Sequence, residues 1–243
     1  MITPSNITKN HRVLIGTPHS DKKNYCIEDY IERVRSFSYS NYDVLIVDNS
    51  ESKKNSKLLR KAGFNVVYIR PKHHSIQKIL ADSHDEIRRY ALLHKYDYLF
   101  HLEDDLIPPP DVIERLMIHN VPIASAMYMI NFGSDSHLMA QKLENFGEIR
   151  ETINLDQGSD LIFVDGGLKK TFHCGLGCVL IHKNVLKKFK FRHEYGSGLF
   201  PDGFFAFDID ALGIPKYIDT SVLCIHNNSE WVYHAEDIYN FKS

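Results

Sequence analysis

Short runs of apolar residues alternate with segments of helical periodicity along the first half of the chain. Apolar runs predict strands at residues 12–16, 42–47, 65–69, 96–102 and 121–130. Helical patterns predict helices at residues 26–37, 53–62, 82–94 and 111–118. Strands that alternate with helices in this way are typical of a parallel sheet with crossover helices. The pattern therefore predicts an α/β protein with a mixed, mostly parallel sheet flanked by helices.

The second half of the chain is less regular. It predicts an apolar strand within residues 174–181, a helix at 184–189, a glycine-rich loop at 194–203 and a helix at 204–212. Two short strands are expected at residues 216–218 and 222–225, whereas residues 132–164 are polar and read as irregular. Because no linker is visible, we expect a single domain over residues 1–243, with halves at 12–130 and 131–243.

Composition narrows the class of protein without identifying a function. The chain has 243 residues, 43% of them hydrophobic and 25% charged, which is ordinary for a soluble globular protein. A formal net charge of −2 gives no general attraction to nucleic acid or to an anionic membrane. The sequence shows no transmembrane segment and no signal peptide, and its four cysteines lack zinc-site spacing. We therefore expect a cytoplasmic protein with reduced thiols, for which peripheral membrane association stays open.

Three acidic residues, Glu103, Asp104 and Asp105, directly follow the fourth predicted strand. In open parallel sheets, ligands bind beyond the carboxyl ends of the strands. Adjacent carboxylates repel one another unless they are solvated or share a cation, and Mn²⁺ or Mg²⁺ favours such oxygen ligands together with substrate phosphates. A solvated acidic loop that caps the next helix is the alternative interpretation.

Polar residues also follow the other predicted strands of the first half. Thr17, Pro18 and His19 follow the first strand, Asp48 follows the second and Arg70 follows the third. The carboxyl ends of parallel strands meet at one edge of a sheet, so these residues and the acidic cluster favour a ligand site there. No histidine pair has the spacing of two metal ligands on one helix, and we place His73 and His74 in a loop beside this ligand site.

At residues 12–226 the chain resembles the GT-A glycosyltransferases, particularly the inverting family 2. Residues 47–50, VDNS, are similar to the family's second-strand motif, which implies that Asp48 contacts the nucleotide base. Residues 86–91 occupy the place of a helix that carries a diphosphate-binding arginine, which here is Arg88. Residues 96–105, followed by prolines at 108–110, resemble the donor and metal signature. The resemblance implies that Glu103 and Asp104 contact the donor and that Asp105 binds the metal.

The second half carries further similarities to the same family. Residues 174–181 resemble a glycine-containing segment near the acceptor, and residues 201–205 stand where the family has its catalytic base. The resemblance implies that Asp202 is the base, although Pro201 replaces the acidic residue that usually precedes it. Asp208 and Asp210 are the reserve candidates. Residues 224–226 resemble a late motif whose histidine, here His226, completes the metal site.

The resemblance implies an inverting transfer of a sugar from a nucleoside-diphosphate sugar, most commonly a UDP sugar, to an acceptor hydroxyl. A glycan, a lipid-linked sugar and a protein are all open as acceptors, and we expect residues 132–170 to select among them. A non-catalytic protein that binds sugar nucleotides or carbohydrates is one alternative function. A nucleotidyltransferase is another, but the first strand lacks the glycine-rich phosphate loop that this class normally has. The G-x-G-x-x-G motif of dinucleotide-binding oxidoreductases is also absent there.

Overall fold

The structure, a computed structural model, describes residues 11–71, 75–132, 135–146, 149–154 and 165–227. His73 and His74 lie outside these described residues, as does part of the segment expected to select the acceptor. The strands are β1 (Val13–His19), β2 (Tyr42–Asp48), β3 (Asn65–Tyr68), β4 (Tyr98–Leu102), β5 (Leu106–Ile107), β6 (Ile123–Met127), β7 (Met129–Phe132), β8 (Asp135–Leu138), β9 (Gln141–Phe146), β10 (Ile149–Asn154), β11 (Leu168–Thr171), β12 (Cys178–His182), β13 (Lys216–Leu223) and β14 (Ile225–His226). The helices are α1 (Ile27–Arg35), α2 (Lys54–Lys61), α3 (Ile76–Leu93), α4 (Val112–Met117), α5 (Lys183–Leu186) and α6 (Pro201–Ala211).

Eight of the strands in the described part of the chain form one sheet, in the order β11-β13-β6-β12-β4-β1-β2-β3. The pairs β1–β2, β1–β4, β2–β3 and β6–β13 are parallel. β12 is antiparallel to both of its neighbours, β4 and β6, and β11 is antiparallel to β13. The predicted mixed, mostly parallel sheet flanked by helices is therefore confirmed.

Both faces of the sheet are buried, which explains why its strands appear in the sequence as continuous apolar runs. Alternate residues of β1 point to opposite faces, so Val13 and Ile15 belong to one core cluster and Leu14 belongs to another. The first cluster also takes residues from α1 and α4, including Tyr30. The second takes residues from α3, α5 and α6, including Ile87. Both clusters fix the position of β1 and therefore of the residues at its carboxyl end.

Several element boundaries differ from the prediction. β1 continues through Thr17 and Pro18 to His19, beyond the predicted end at residue 16. Pro18, which has no N–H to donate, lies past Gly16, the last β1 residue that pairs with β4. Helix α3 begins at residue 76 and not at 82, because the Ser75 side chain accepts a hydrogen bond from the Lys78 amide and caps the helix.

The second half is more ordered than its polar sequence indicates. The prediction that residues 132–164 are irregular is wrong for the described part, where β7 pairs with β8 and β9 pairs with β10 as antiparallel hairpins. Helix α6 begins at Pro201 and not at residue 204, because proline is well suited to the first turn of a helix. Asp202 therefore lies in that first turn and not in the preceding loop. Of the helices in the described residues, none has the length and apolar character needed to cross a membrane.

Candidate active site

The polar ends of the central strands lie at one edge of the sheet. Because β1, β2 and β4 are parallel, His19, Asp48 and Leu102 end their strands on the same side. Cys178 begins the antiparallel strand β12 directly opposite Leu102, so residues 174–177 also lie at this edge. The topology thus brings residues from both halves of the chain to the acidic cluster that follows β4.

Asp104 is the central residue of the acidic cluster in sequence, and only 3% of its surface is exposed. Its Oδ2 atom lies 2.7 Å from Nδ1 of His19, and Asn55 donates its amide to Nε2 of the same ring at 3.1 Å. A side-chain amide nitrogen can only donate, so Nε2 accepts and Nδ1 carries the proton that it donates to Asp104. Burial raises the pKa of Asp104, although the His19 contact opposes this effect. His19 therefore holds Asp104 in one orientation.

Asp105 faces two basic side chains. Lys23 donates to Asp105 Oδ2, and Nε2 of His226 lies 3.4 Å from the same oxygen. Burial acts to raise the pKa of Asp105, but His226 and Lys23 outweigh it and lower the pKa. Nδ1 of His226 lies 2.7 Å from the carbonyl oxygen of Met129. Because that carbonyl can only accept, Nδ1 carries a proton. Burial acts to lower the pKa of His226, but the contact with Asp105 outweighs it and raises the pKa, so Nε2 donates to Asp105 when the ring is protonated.

These contacts fit a divalent cation. A protonated His226 makes this contact as a donor, and a shared cation could take the place of that proton, since a metal-binding histidine typically donates its other N–H to a carbonyl. The second oxygen of Asp105, Oδ1, is buried without a hydrogen-bond partner, as is the hydroxyl of Tyr25. In the described part of the chain, no group of three His, Cys, Asp or Glu residues could hold a metal. A cation here would therefore have Asp105 and His226 as protein ligands and would complete its shell with phosphate and water oxygens.

Glu103 connects the acidic cluster to the second half of the chain. Its backbone amide donates to the carbonyl of Gly177 at 2.8 Å, and the Gly177 amide donates to the hydroxyl of Tyr128 at 3.2 Å. Burial and the nearby charge of Asp105 raise the pKa of Glu103 to about 7, and the charge of Asp202 contributes to the same shift. The Glu103 carboxyl therefore lies within electrostatic reach of both the predicted metal ligand and the predicted base.

Asp202 projects from the first turn of α6 with its side chain 24% exposed. Its Oδ1 atom accepts from the Gly203 amide at 2.9 Å, and its Oδ2 atom lies 3.4 Å from Nε2 of His173. Burial acts to raise the pKa of Asp202, but His173 and the Gly203 amide outweigh it and lower the pKa. The carboxylate is therefore ionised at neutral pH and open to solvent on one side.

The two reserve candidates for the base have different surroundings. Arg192 holds Asp208 in a bidentate ion pair, with both N–O distances at 2.8 Å. Asp210 lies on the exposed side of α6 and lines a shallow pocket with Lys170 and Lys216. Neither is among the charges that shift the pKa of Glu103, whereas Asp202 is.

The residues of β1 and β2 that were predicted to contact the nucleotide-sugar donor are buried. Thr17 lies in β1 with its hydroxyl 2.6 Å from that of Tyr30, and Pro18 is buried beside it. Asp48 accepts from the Ser50 amide at 3.0 Å and also from the hydroxyl of Ser56. Its carboxylate therefore organises the turn after β2, and a contact with a nucleotide base stays a prediction.

The two predicted arginines do not join the acidic cluster. Arg70 is exposed and lines a surface cleft of about 540 Å³ beyond β3, at the edge of the sheet. Arg88 donates to Asp85 at 2.6 Å and to the Leu186 carbonyl at 3.1 Å, so its guanidinium joins α3 to α5. A contact between Arg88 and a diphosphate stays a prediction.

Sequence reasoning placed His19 with Thr17 and Pro18 at the end of the first strand, but it missed three residues of the site: Lys23, Tyr128 and His173. These three have no motif in the sequence, because their roles depend on packing across the sheet edge.

Comparison with known proteins identifies the fold. Neither a protein-family model nor a curated protein matches the sequence. Among solved structures, GalNAc-T7 with UDP, GalNAc and Mn²⁺ is similar over 96% of this chain and 46% of its own, at 10% identity and a TM-score of 0.61. The mannosyltransferase PcManGT from Pyrobaculum calidifontis, in complex with GDP-Man and Mn²⁺, is similar over 93% of this chain and 59% of its own, at 14% identity and a TM-score of 0.59.

These likenesses define the class of fold. The chain has the GT-A fold of these two glycosyltransferases, as the sequence motifs predicted. It spans about half the length of the two proteins that it matches, 46% and 59% respectively. At 10% and 14% identity, the comparisons establish the fold but not the activity, which depends on the residues of the site.

Proposed function

We propose that the chain is a glycosyltransferase that moves a sugar from a nucleoside-diphosphate sugar to an acceptor hydroxyl with inversion. The observation that carries this proposal is the pair Asp105 and His226 at the carboxyl edge of a GT-A sheet. Nε2 of His226 and Oδ2 of Asp105 face each other, and Oδ1 of Asp105 has no hydrogen-bond partner among the described residues, which supports a position for a divalent cation. Both matched structures contain Mn²⁺ together with a nucleotide or nucleotide sugar.

Asp105 and His226 are the proposed metal ligands. A Mn²⁺ or Mg²⁺ ion bound there would offset the negative charge that develops on the leaving diphosphate. Asp104, held by His19, and Glu103 would border the donor beside this pair. UDP is the first nucleotide to test, because it is the common family donor and is present in the GalNAc-T7 structure. GDP is the second, since the mannosyltransferase structure contains GDP-Man.

Contacts to the rest of the donor follow the predicted strand ends. Thr17, Pro18 and Asp48 would form the wall against which the nucleoside lies, with Asp48 fixing the turn that faces the base. Arg70 lies three strands away from β4, which is about 14 Å at ordinary strand spacing, so it would reach only the far end of the donor. Arg88 would need a different side-chain conformation to reach the diphosphate, because Asp85 and Leu186 now hold its guanidinium.

Asp202 is the proposed general base. Its ionised carboxylate would accept the proton of the acceptor hydroxyl as that oxygen bonds to the anomeric carbon and the bond to the diphosphate breaks. His173 would keep Asp202 oriented and charged without touching the sugar. Attack from the side opposite the leaving group inverts the anomeric centre, which is consistent with a base that comes from the second half of the chain.

Calorimetry tests the donor site directly. We expect UDP, GDP or dTDP to bind in the presence of Mn²⁺ and to lose at least tenfold in affinity with a chelator. Asp105→Ala should abolish the metal-dependent part of the binding. Asp111→Ala removes an exposed acidic residue directly before α4 and should leave that binding unchanged. A folded wild-type chain that binds none of the three nucleotides would refute the proposal.

A non-catalytic sugar-nucleotide-binding protein is the second candidate, and one feature favours it. Pro201 stands where the family has an acidic residue, so the proposed base lacks its usual neighbour. Hydrolysis of the bound donor separates the two functions. Slow, Mn²⁺-dependent release of the sugar indicates an enzyme, whereas tight binding with no release over hours indicates a binding protein.

A further inference from the structure

Helix α2 has a strongly basic outer face. Its buried residues are Ser56 and Leu59, so the opposite side of the helix faces solvent. At helical spacing that side consists of Lys54, Lys57, Leu58 and Lys61. All four side chains are exposed, and the exposed fraction of Leu58 is 54%. The outer face of α2 therefore combines three cationic side chains with one large apolar side chain.

The three lysines of this face have no counter-charge on the protein. Within the described ranges, Lys54, Lys57 and Lys61 form no ion pair, and α2 itself contains no acidic residue. Lys57 lies three residues after Lys54 and four before Lys61, and like charges at these helical spacings repel. Cations near the start of a helix also oppose its dipole. The helix thus gains no stability from these charges, which leaves them available to an anionic partner.

We propose that the outer face of α2 binds an anionic lipid surface. A basic helix face with an apolar residue lies at the headgroup level, where its lysines meet lipid phosphates and the apolar side chain enters the acyl boundary. Leu58 favours a membrane over a nucleic acid, since phosphate backbones are bound mainly by polar and charged groups. The net charge of the whole chain is −2, so attraction to an anionic surface requires a local basic face of this kind.

The outer face of α2 begins beside the candidate active site. Asn55, in the first turn of α2, donates its side-chain amide to Nε2 of His19 and to the hydroxyl of Ser50, at 3.1 Å in both cases. A chain that binds a membrane through α2 would therefore hold the carboxyl edge of the sheet close to the lipid surface. Lipid binding through α2 goes beyond the proposed function and does not depend on it, because it is measured without donor or acceptor.

Co-sedimentation with lipid vesicles tests this binding. The wild-type chain should bind vesicles of about 30% phosphatidylglycerol in phosphatidylcholine, and should not bind vesicles of phosphatidylcholine alone. The α2 triple variant, Lys54→Gln with Lys57→Gln and Lys61→Gln, should lose about 100-fold in affinity, at about fivefold for each lysine. It removes only repulsive contacts within α2, so it should fold, which circular dichroism checks. A folded wild type that binds neither kind of vesicle would refute the proposal.

A second triple variant, Lys187→Gln with Lys188→Gln and Lys190→Gln, is the matched control. These exposed lysines follow α5, which packs on the opposite face of the sheet from Leu59 of α2. Phe189, which lies between them, is buried, so this cluster has the same charge without an exposed apolar neighbour. The control should lose less than about threefold, because its lysines would lie beyond the screening length from the membrane. Equal losses in the two triple variants would indicate unspecific charge attraction and overturn the proposal.

Leu58→Gln separates a lipid surface from other polyanions. It keeps every charge of α2 and should weaken vesicle binding about fivefold, because a half-exposed leucine loses its contact with the acyl chains. Unchanged vesicle binding by this variant would contradict insertion of the face into the membrane. A labelled single-stranded oligonucleotide provides the comparison. If the wild type binds it more tightly than the anionic vesicles, and the α2 triple variant loses that binding, the partner is a nucleic acid and the proposal is wrong.

Discussion

Gly16 offers a direct test of how α3 is packed over the strand that leads to the site. A Cβ atom at this position would lie 2.2 Å from Cγ2 of Ile87 on α3 and 2.9 Å from Cδ1 of Leu99 on β4. Both distances are shorter than real Cβ contacts allow, and both neighbours are fully buried. Overpacking of this kind costs about 1–3 kcal/mol. Because the β-branched Ile87 cannot turn Cγ2 away without moving α3, we expect Gly16→Ala to cost about 3 kcal/mol.

A double-mutant cycle isolates this contact. Ile87→Ala alone should cost about 2–5 kcal/mol, because it leaves a cavity in the core. In that background the added methyl at position 16 occupies the vacated space, so Gly16→Ala should cost less than about 1 kcal/mol. The expected coupling of about 2 kcal/mol is well above the error of urea unfolding followed by circular dichroism. Additive costs for the two substitutions would show that α3 does not lie over Gly16, and would refute the packing that positions the end of β1.

Two further predictions concern catalysis and acid stability. Asp202→Asn should lower the rate of sugar transfer by a factor of about 10²–10⁴ without changing nucleotide affinity. Asp208→Asn, which alters the residue paired with Arg192, should change that rate by less than about threefold. If turnover measurements show that Asp208→Asn is the slower variant, Asp208 and not Asp202 is the base. Burial lowers the pKa of His101 from 6.5 to about 3 and that of His84 well below 6.5, so the unfolded chain takes up protons first as the pH falls. The free energy of unfolding should therefore drop by about 3 kcal/mol between pH 7.5 and 5.5, since each histidine contributes about 1.4 kcal/mol over this range. Urea midpoints that do not change over this range, or that fall equally in a chain with leucine at both positions, contradict this assignment.

The order of strands and helices in the first half could be predicted because burial on both faces leaves a simple signal. Runs such as residues 42–47 and 96–102 are mostly apolar, and helical periodicity separates them. The boundaries were less predictable, since they depend on single capping residues such as Ser75 and Pro201. The hairpins after residue 128 were missed because their strands are polar and lie outside the main sheet.

The candidate site was predictable where a motif survives in the sequence and unpredictable where packing alone creates it. Asp105 and His226 are 121 residues apart, yet resemblance to one family identified both, and the structure brings them together. Lys23 is one of many lysines in the chain, and only the path of the turn after β1 directs it at Asp105. Tyr128 reads as a core residue, and its contact with Gly177 depends on the register between β12 and β6.

The position of β12 has a consequence for how the chain is made. This strand lies between β4 and β6 and is antiparallel to both, so β6 has no place beside β4 until residues 178–182 arrive. On the ribosome, the first 130 residues would therefore emerge before β12, and the edge of β4 that β12 later covers would be exposed. Contacts across such long sequence separations also form slowly. Chaperone dependence during synthesis, and aggregation of fragments that end before β12, are expected from this arrangement of strands.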